Sequence, residues 1–144
     1  MFCPKWVFLG GMVLSSVCWA DGKAICSTEQ ASAAEKRVSL ISSWNQFHSA
    51  YKAFQHCDDG AVGEGFSESA SLLMADKWST LNRLNRLTQR DEKFFAFVLK
   101  HIDETVPEER LRQIENNAEK RCAEPTQRLC LAVHRAVGKL ERSK

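Results

Sequence analysis

Apolar residues recur every third or fourth position along most of this chain, which is the spacing of helices that bury one face. Val38, Ile41, Trp44, Phe47, Tyr51 and Phe54 share such a face in the first stretch. Phe66, Ala70, Leu73, Met74, Trp78, Leu81, Leu84 and Leu87 continue a second stripe, with Ser67 as its N-cap. A third helix is predicted from about Asp91 to Asp103, with Phe94, Phe95, Val98, Leu99 and Ile102 inward. Pro107 ahead of Glu108 and Glu109 opens a fourth through Leu111, Ile114 and Ala118. Pro125 opens the last, with Leu129, Val133, Ala136, Val137 and Leu140 on its apolar side. No window alternates with period two between turn signals, so no strand is needed to place the apolar residues. The predicted fold is all-α, a compact bundle of about five helices with short connections and antiparallel neighbours.

The first twenty residues have a different pattern. Lys5 precedes an apolar run from Val7 to Val17, and Cys18-Trp19-Ala20 puts small side chains at the cleavage positions of a secretory signal. The run is too short for a membrane span, which takes roughly twenty apolar residues. Lipoprotein processing at Cys18 is the alternative, although Val17 is large where a small residue is expected. Residues 1–20 are therefore read as a signal peptide and 21–144 as a single helical domain, exported to the periplasm. The chain has 20 basic and 18 acidic residues, and one basic residue, Lys5, leaves with the leader. So balanced a charge gives no reason to expect nucleic acid as a partner.

Export also decides how the cysteines are read. Cys26, Cys57, Cys122 and Cys130 remain after the leader, and four cysteines in an oxidising compartment imply two disulfides and no free thiol. Cys122 and Cys130 flank a turn containing Pro125, where an antiparallel hairpin brings Cα atoms within bridging distance. Cys26 then pairs with Cys57. An unbroken helix from Glu29 to His56 would hold its ends roughly 40 Å apart and forbid that bridge. A break near Ser42, with Ser43 and Gln46 as a capping box, permits it; crossed pairing is the alternative.

Cys57 begins the segment Cys57-Asp58-Asp59-Gly60-Ala61-Val62-Gly63-Glu64-Gly65, three carboxylates and three glycines between two helical stretches. It is expected to be an acidic interhelical loop, anchored at Cys57, in which the glycines let the backbone hold carboxylates outward. Asp58, Asp59, Glu64 and Glu68 are candidates for a paired-carboxylate or hard-cation site. Their spacing fits neither well: counting an EF-hand from Asp58 puts Gly60 and Val62 where donors belong. The simpler roles are a turn for the aspartates and the positive end of the next helix for the glutamates. His48, His56, His101 and His134 show no zinc spacing, and His101 and Asp103 are two apart, on different sides of a helix. Gly65-Phe66-Ser67-Glu68-Ser69 lacks the second glycine and the strand of a nucleophile elbow. Neither metal nor cofactor is expected. Arg83, Arg86 and Arg90, continued by Lys93, form a basic stripe that is either a solvated face or a contact for an acidic partner.

A leader, a helical body, few cysteines and a first helical stretch with Trp44 leading to Cys57-Asp58-Asp59-Gly60 resemble small periplasmic proteins of Gram-negative bacteria. More remotely, the architecture resembles the all-helical immunity proteins that protect bacteria from type VI secreted peptidoglycan amidases. That resemblance implies a non-enzymatic inhibitor that binds a secreted amidase and blocks its groove. Asp58, Asp59, Glu64, Glu68, Arg83 and Arg86 are then the first places to look for the contact. The competing expectations are an envelope assembly factor that holds a partner helix in an apolar groove, and a small hydrolase or metal-binding protein supported by the carboxylates alone.

Overall fold

The computed structural model describes residues 25–143, so the predicted signal peptide lies outside the described residues. Among the described residues there are seven α-helices: α1 (Thr28–Val38), α2 (Trp44–Phe54), α3 (Gly60–Asp76), α4 (Leu81–Arg90), α5 (Glu92–Lys100), α6 (Glu108–Lys120) and α7 (Gln127–Arg142). There is no strand among the described residues.

Seven helices replace the expected five because two of the apolar stripes are interrupted. The first breaks at Ser39–Ser43 as the disulfide argument requires. Ser43 caps α2, accepting from Gln46 N, and Gln46 Oε1 reaches back to Ser42 N at 2.8 Å. The second stripe breaks at Lys77, where Trp78–Thr80 form one 3₁₀ turn before α4. Met74, Trp78 and Leu81 keep inward spacing across that turn, so the apolar pattern runs on while the helix does not. Trp78 is buried there, with its indole N–H donating to Arg121 O at 3.0 Å. Pro107 stands at the N-cap of α6 rather than inside it, and the glutamates at 108 and 109 fill the first turn.

The central helix is α3, which packs against α1, α2 and α6. Its small residues Ser69, Ala70 and Ser71 are buried, so its neighbours approach closely. The core includes Phe66 of α3 with Phe47, Leu84 and Phe94, all fully buried. The α6–α7 hairpin closes one side of the bundle, and α5 packs against α7. Both expected disulfides are present. Cys26 and Cys57 have Cα atoms 5.0 Å apart, and Cys122 and Cys130 6.1 Å. No helix among the described residues is long and apolar enough to cross a membrane.

Candidate functional site

The segment expected to be a glycine-rich acidic loop is mostly helix. Only Asp58 and Asp59 lie between the 3₁₀ turn that ends at Cys57 and the start of α3. Asp59 is the N-cap, its carboxylate accepting from Gly60 N at 2.8 Å. Gly60 enters the helix at φ +48°, a conformation side chains disfavour, and is the one glycine of the segment with positive φ. Gly65 has a packing role instead. A Cβ placed there would lie 2.3 Å from Val38 Cγ2, so the glycine sets how closely α1 and α3 cross. The expected N-cap, Ser67, is inside α3 and buried at 2% exposure.

The outward array of carboxylates is also corrected. Asp58 turns inward, its side chain 8% exposed, and pairs with Lys100 Nζ. Glu64 is exposed. Glu68 is half-exposed and bonds Arg110 Nη1 from α6 at 2.6 Å. These four carboxylates therefore point to different neighbours and do not converge on a common ligand position. Arg83 is partly buried on α4 and donates from Nε to Asn45 Oδ1 of α2, whereas Arg86 and Arg90 are exposed on the same helix, as is Lys93 on α5.

What the structure does bring together is a buried polar cluster at the start of α3 and the end of α5. His101, 3% exposed, is the C-cap residue of α5. Its Nδ1 lies 2.9 Å from Ser67 Oγ, and its Nε2 lies 3.2 Å from Asp58 Oδ1 without the alignment of a hydrogen bond. Ser67 Oγ also lies 2.6 Å from Asp103 Oδ2 and 3.2 Å from Gly63 O. Asp103 in turn accepts at Oδ1 from Thr105 N and Thr105 Oγ1, closing the turn after α5. The His101 ring rests against Phe66 and Phe97, with centroids 5.5 and 4.5 Å away.

Serine, histidine and aspartate in contact invite comparison with a nucleophilic triad, and the proton inventory decides against it. Ser67 has a single proton, and the carboxylate of Asp103 at 2.6 Å is its strongest acceptor. Nδ1 of His101 must then donate to Ser67, so the imidazole is not a base toward that hydroxyl. Ser67 is also buried inside α3, where backbone N–H groups serve the helical ladder. The cluster works as a polar clamp between α3 and α5.

Its electrostatics agree with that role. Burial alone would raise the Asp58 carboxyl, but its contacts with His101 and Lys100 hold it below its ordinary range. Burial opposes ionisation of Asp103 too, and donation from Ser67 and Thr105 outweighs it, so this carboxyl is also held low. A second, separate clamp joins α2 to α5. Asp91 caps α5 by accepting from Phe94 N at 3.0 Å and meets His48 Nε2 at 3.1 Å.

No reading of spacing could pair His101 with Asp103, because two residues apart in a helix they diverge. The helix ends at Lys100, and the turn beyond it swings Asp103 back toward Ser67. The sequence signal that existed was Asp103-Glu104-Thr105, an aspartate placed to bond the backbone two residues on. No family model, no curated protein and no solved structure matches the chain.

Proposed function

We propose that the protein is a non-enzymatic binding protein of the inhibitor or immunity type. It acts in the periplasm and neutralises a secreted cell-wall-degrading enzyme, a peptidoglycan amidase being the favoured partner, by covering its groove. The observation that carries this reading is the division of charge at the start of α3. Asp58 is spent inside the fold, while Asp59 and Glu64 face solvent and Glu68 is half-exposed, on a helix whose start is tied to α1 by Cys26–Cys57. Charged groups on a rigid element lose little freedom on binding, which favours recognition. Arg86 offers an opposite charge on α4, and Arg83 is held in place beside it by Asn45. Two disulfides suit an oxidising compartment outside the cytoplasm.

The test is capture of partners from periplasm by the disulfide-intact protein, followed by amidase assays with the recovered enzyme. Asp59→Asn, which removes the charge and keeps the N-cap acceptor, combined with Glu64→Ala is expected to weaken the complex about tenfold or more, the range of an interface hot spot, with helicity by circular dichroism unchanged. Recovery of general chaperones alone, or unchanged affinity in the double variant, overturns the reading or removes this surface from it. Asp58 is unsuitable for the test because its loss disturbs the clamp. A second reading, an envelope assembly factor that holds a partner helix, draws on the groove between α1 and α2. Ala33, Leu40, Ala53 and Phe54 line it, and Leu40 is 64% exposed. Capture of an envelope assembly component, lost in Leu40→Glu, favours this second reading.

A further inference from the structure

We propose that Glu115, Glu119 and His134 form a binding site for a transition divalent cation of the zinc class, bridging α6 and α7. Glu115 and Glu119 are one turn apart on α6 and share a face. His134 reaches them from α7, with Nδ1 3.7 Å from Glu115 Oε1 and 3.9 Å from Glu119 Oε1. One donor atom from each residue lies within 4.8 Å of the other two. A zinc ion bound at its usual distances spaces tetrahedral ligands roughly 3.4 Å apart. Closure therefore asks only for small rotations of side chains that are exposed or half-buried.

Two features distinguish this set from an ordinary acidic surface. Like charges one turn apart repel, yet neither carboxylate has a lysine or arginine within ion-pair distance among the described residues; their partner is the imidazole. A cation supplies the missing charge. The set is also pre-positioned, since Glu119 lies three residues before Cys122 and His134 four after Cys130, so the Cys122–Cys130 crosslink fixes the hairpin about one turn from both. One nitrogen and two carboxylate oxygens suit zinc better than calcium, which takes six to eight oxygens. Three protein ligands leave a further position for water or a partner's side chain. A groove of about 400 Å³ lined by Ala118, Gln127 and Leu131 also includes Glu119 and His134 in its wall. Cys26, His56 and Cys57 also cluster, but both sulfurs are committed to a disulfide. This inference is independent of the binding partner proposed above.

Isothermal titration of the disulfide-intact chain with Zn²⁺, and with Ca²⁺ and Mg²⁺ for comparison, tests it. One zinc per chain is expected, with no heat from calcium or magnesium at the same concentrations. His134→Ala and Glu119→Gln are each expected to weaken zinc at least about tenfold, as removal of metal-site groups does, while His56→Ala leaves it unchanged. Zinc is also expected to raise the melting temperature of the native chain and not that of His134→Ala. Absence of zinc binding, binding that survives His134→Ala, or loss on His56→Ala instead overturns the proposal.

Discussion

The Ser67 hydroxyl has one proton and two oxygen acceptors around it, Gly63 O and Asp103 Oδ2, and its choice of Asp103 explains why a serine, a histidine and an aspartate in contact form a clamp here. The clamp makes stability depend on acid in a definite direction. Asp58, Asp91 and Asp103 all have carboxyls held below their ordinary range in the fold. The unfolded chain therefore takes up protons first as pH drops, so their contribution is complete above about pH 4, the unfolded aspartate range, and is lost as pH falls through the folded values. Urea unfolding from pH 7 to pH 2 is expected to show level stability from these groups down to about pH 4 and a decline below it. Asp58→Asn is expected to lose about 2 kcal/mol at pH 7 through the weakened charged hydrogen bond from Lys100 and to show a shallower acid decline. An acid profile as steep as that of the native chain would remove Asp58 from the effect.

At the scale of elements, a stripe of apolar residues reports which face is buried and is blind to a short change of helix type. Trp78 keeps its inward position through a 3₁₀ turn, which is why α3 and α4 read as one helix in the sequence. Glycine misled in the other direction. Three glycines among carboxylates suggested a loop, whereas Gly65 sits inside α3 and has no side chain where α1 lies directly against it. Gly65→Ala is expected to raise helix propensity locally and still destabilise the fold by about 1–3 kcal/mol, the usual result of overpacking a contact. Combining it with Val38→Ala is expected to recover part of that loss, since the clash is with Val38 Cγ2. Denaturant midpoints of the single and double variants provide the check.

For the whole molecule, the two disulfides close loops of different length and fasten different parts of the bundle. Cys26–Cys57 spans 31 residues and ties the start of α1 to the start of α3, while Cys122–Cys130 spans 8 and holds the α6–α7 hairpin. Loop-closure entropy assigns about 4 kcal/mol to the longer and about 2.5 kcal/mol to the shorter. Replacing each pair by serine is therefore expected to lower stability more for Cys26 and Cys57, as read from urea midpoints. The opposite order would mean that native packing rather than the unfolded chain sets their worth. If zinc binds between α6 and α7, loss of the short crosslink is also expected to weaken that site without affecting the acidic end of α3.

The sequence by itself determined the helical class and the buried faces, because periodicity is a local property; capping and chain reach favoured the break before α2 and the two cysteine pairs, and the structure decided them against crossed pairing. The sequence also marked Asp58, Asp59, Glu64 and Glu68 as a charged segment. Only the tertiary structure decided that Asp58 faces inward to Lys100 and His101 while Glu64 faces solvent. It alone brought Ser67, His101 and Asp103 together, 34 and 36 residues apart from the serine, and His134 to the carboxylates of α6. The physical reason is that a helix ends by local signals, but where its last side chains point depends on the turn beyond it and on the helices packed across. Such meetings are set by the whole fold, so no spacing within one stretch of chain can announce them.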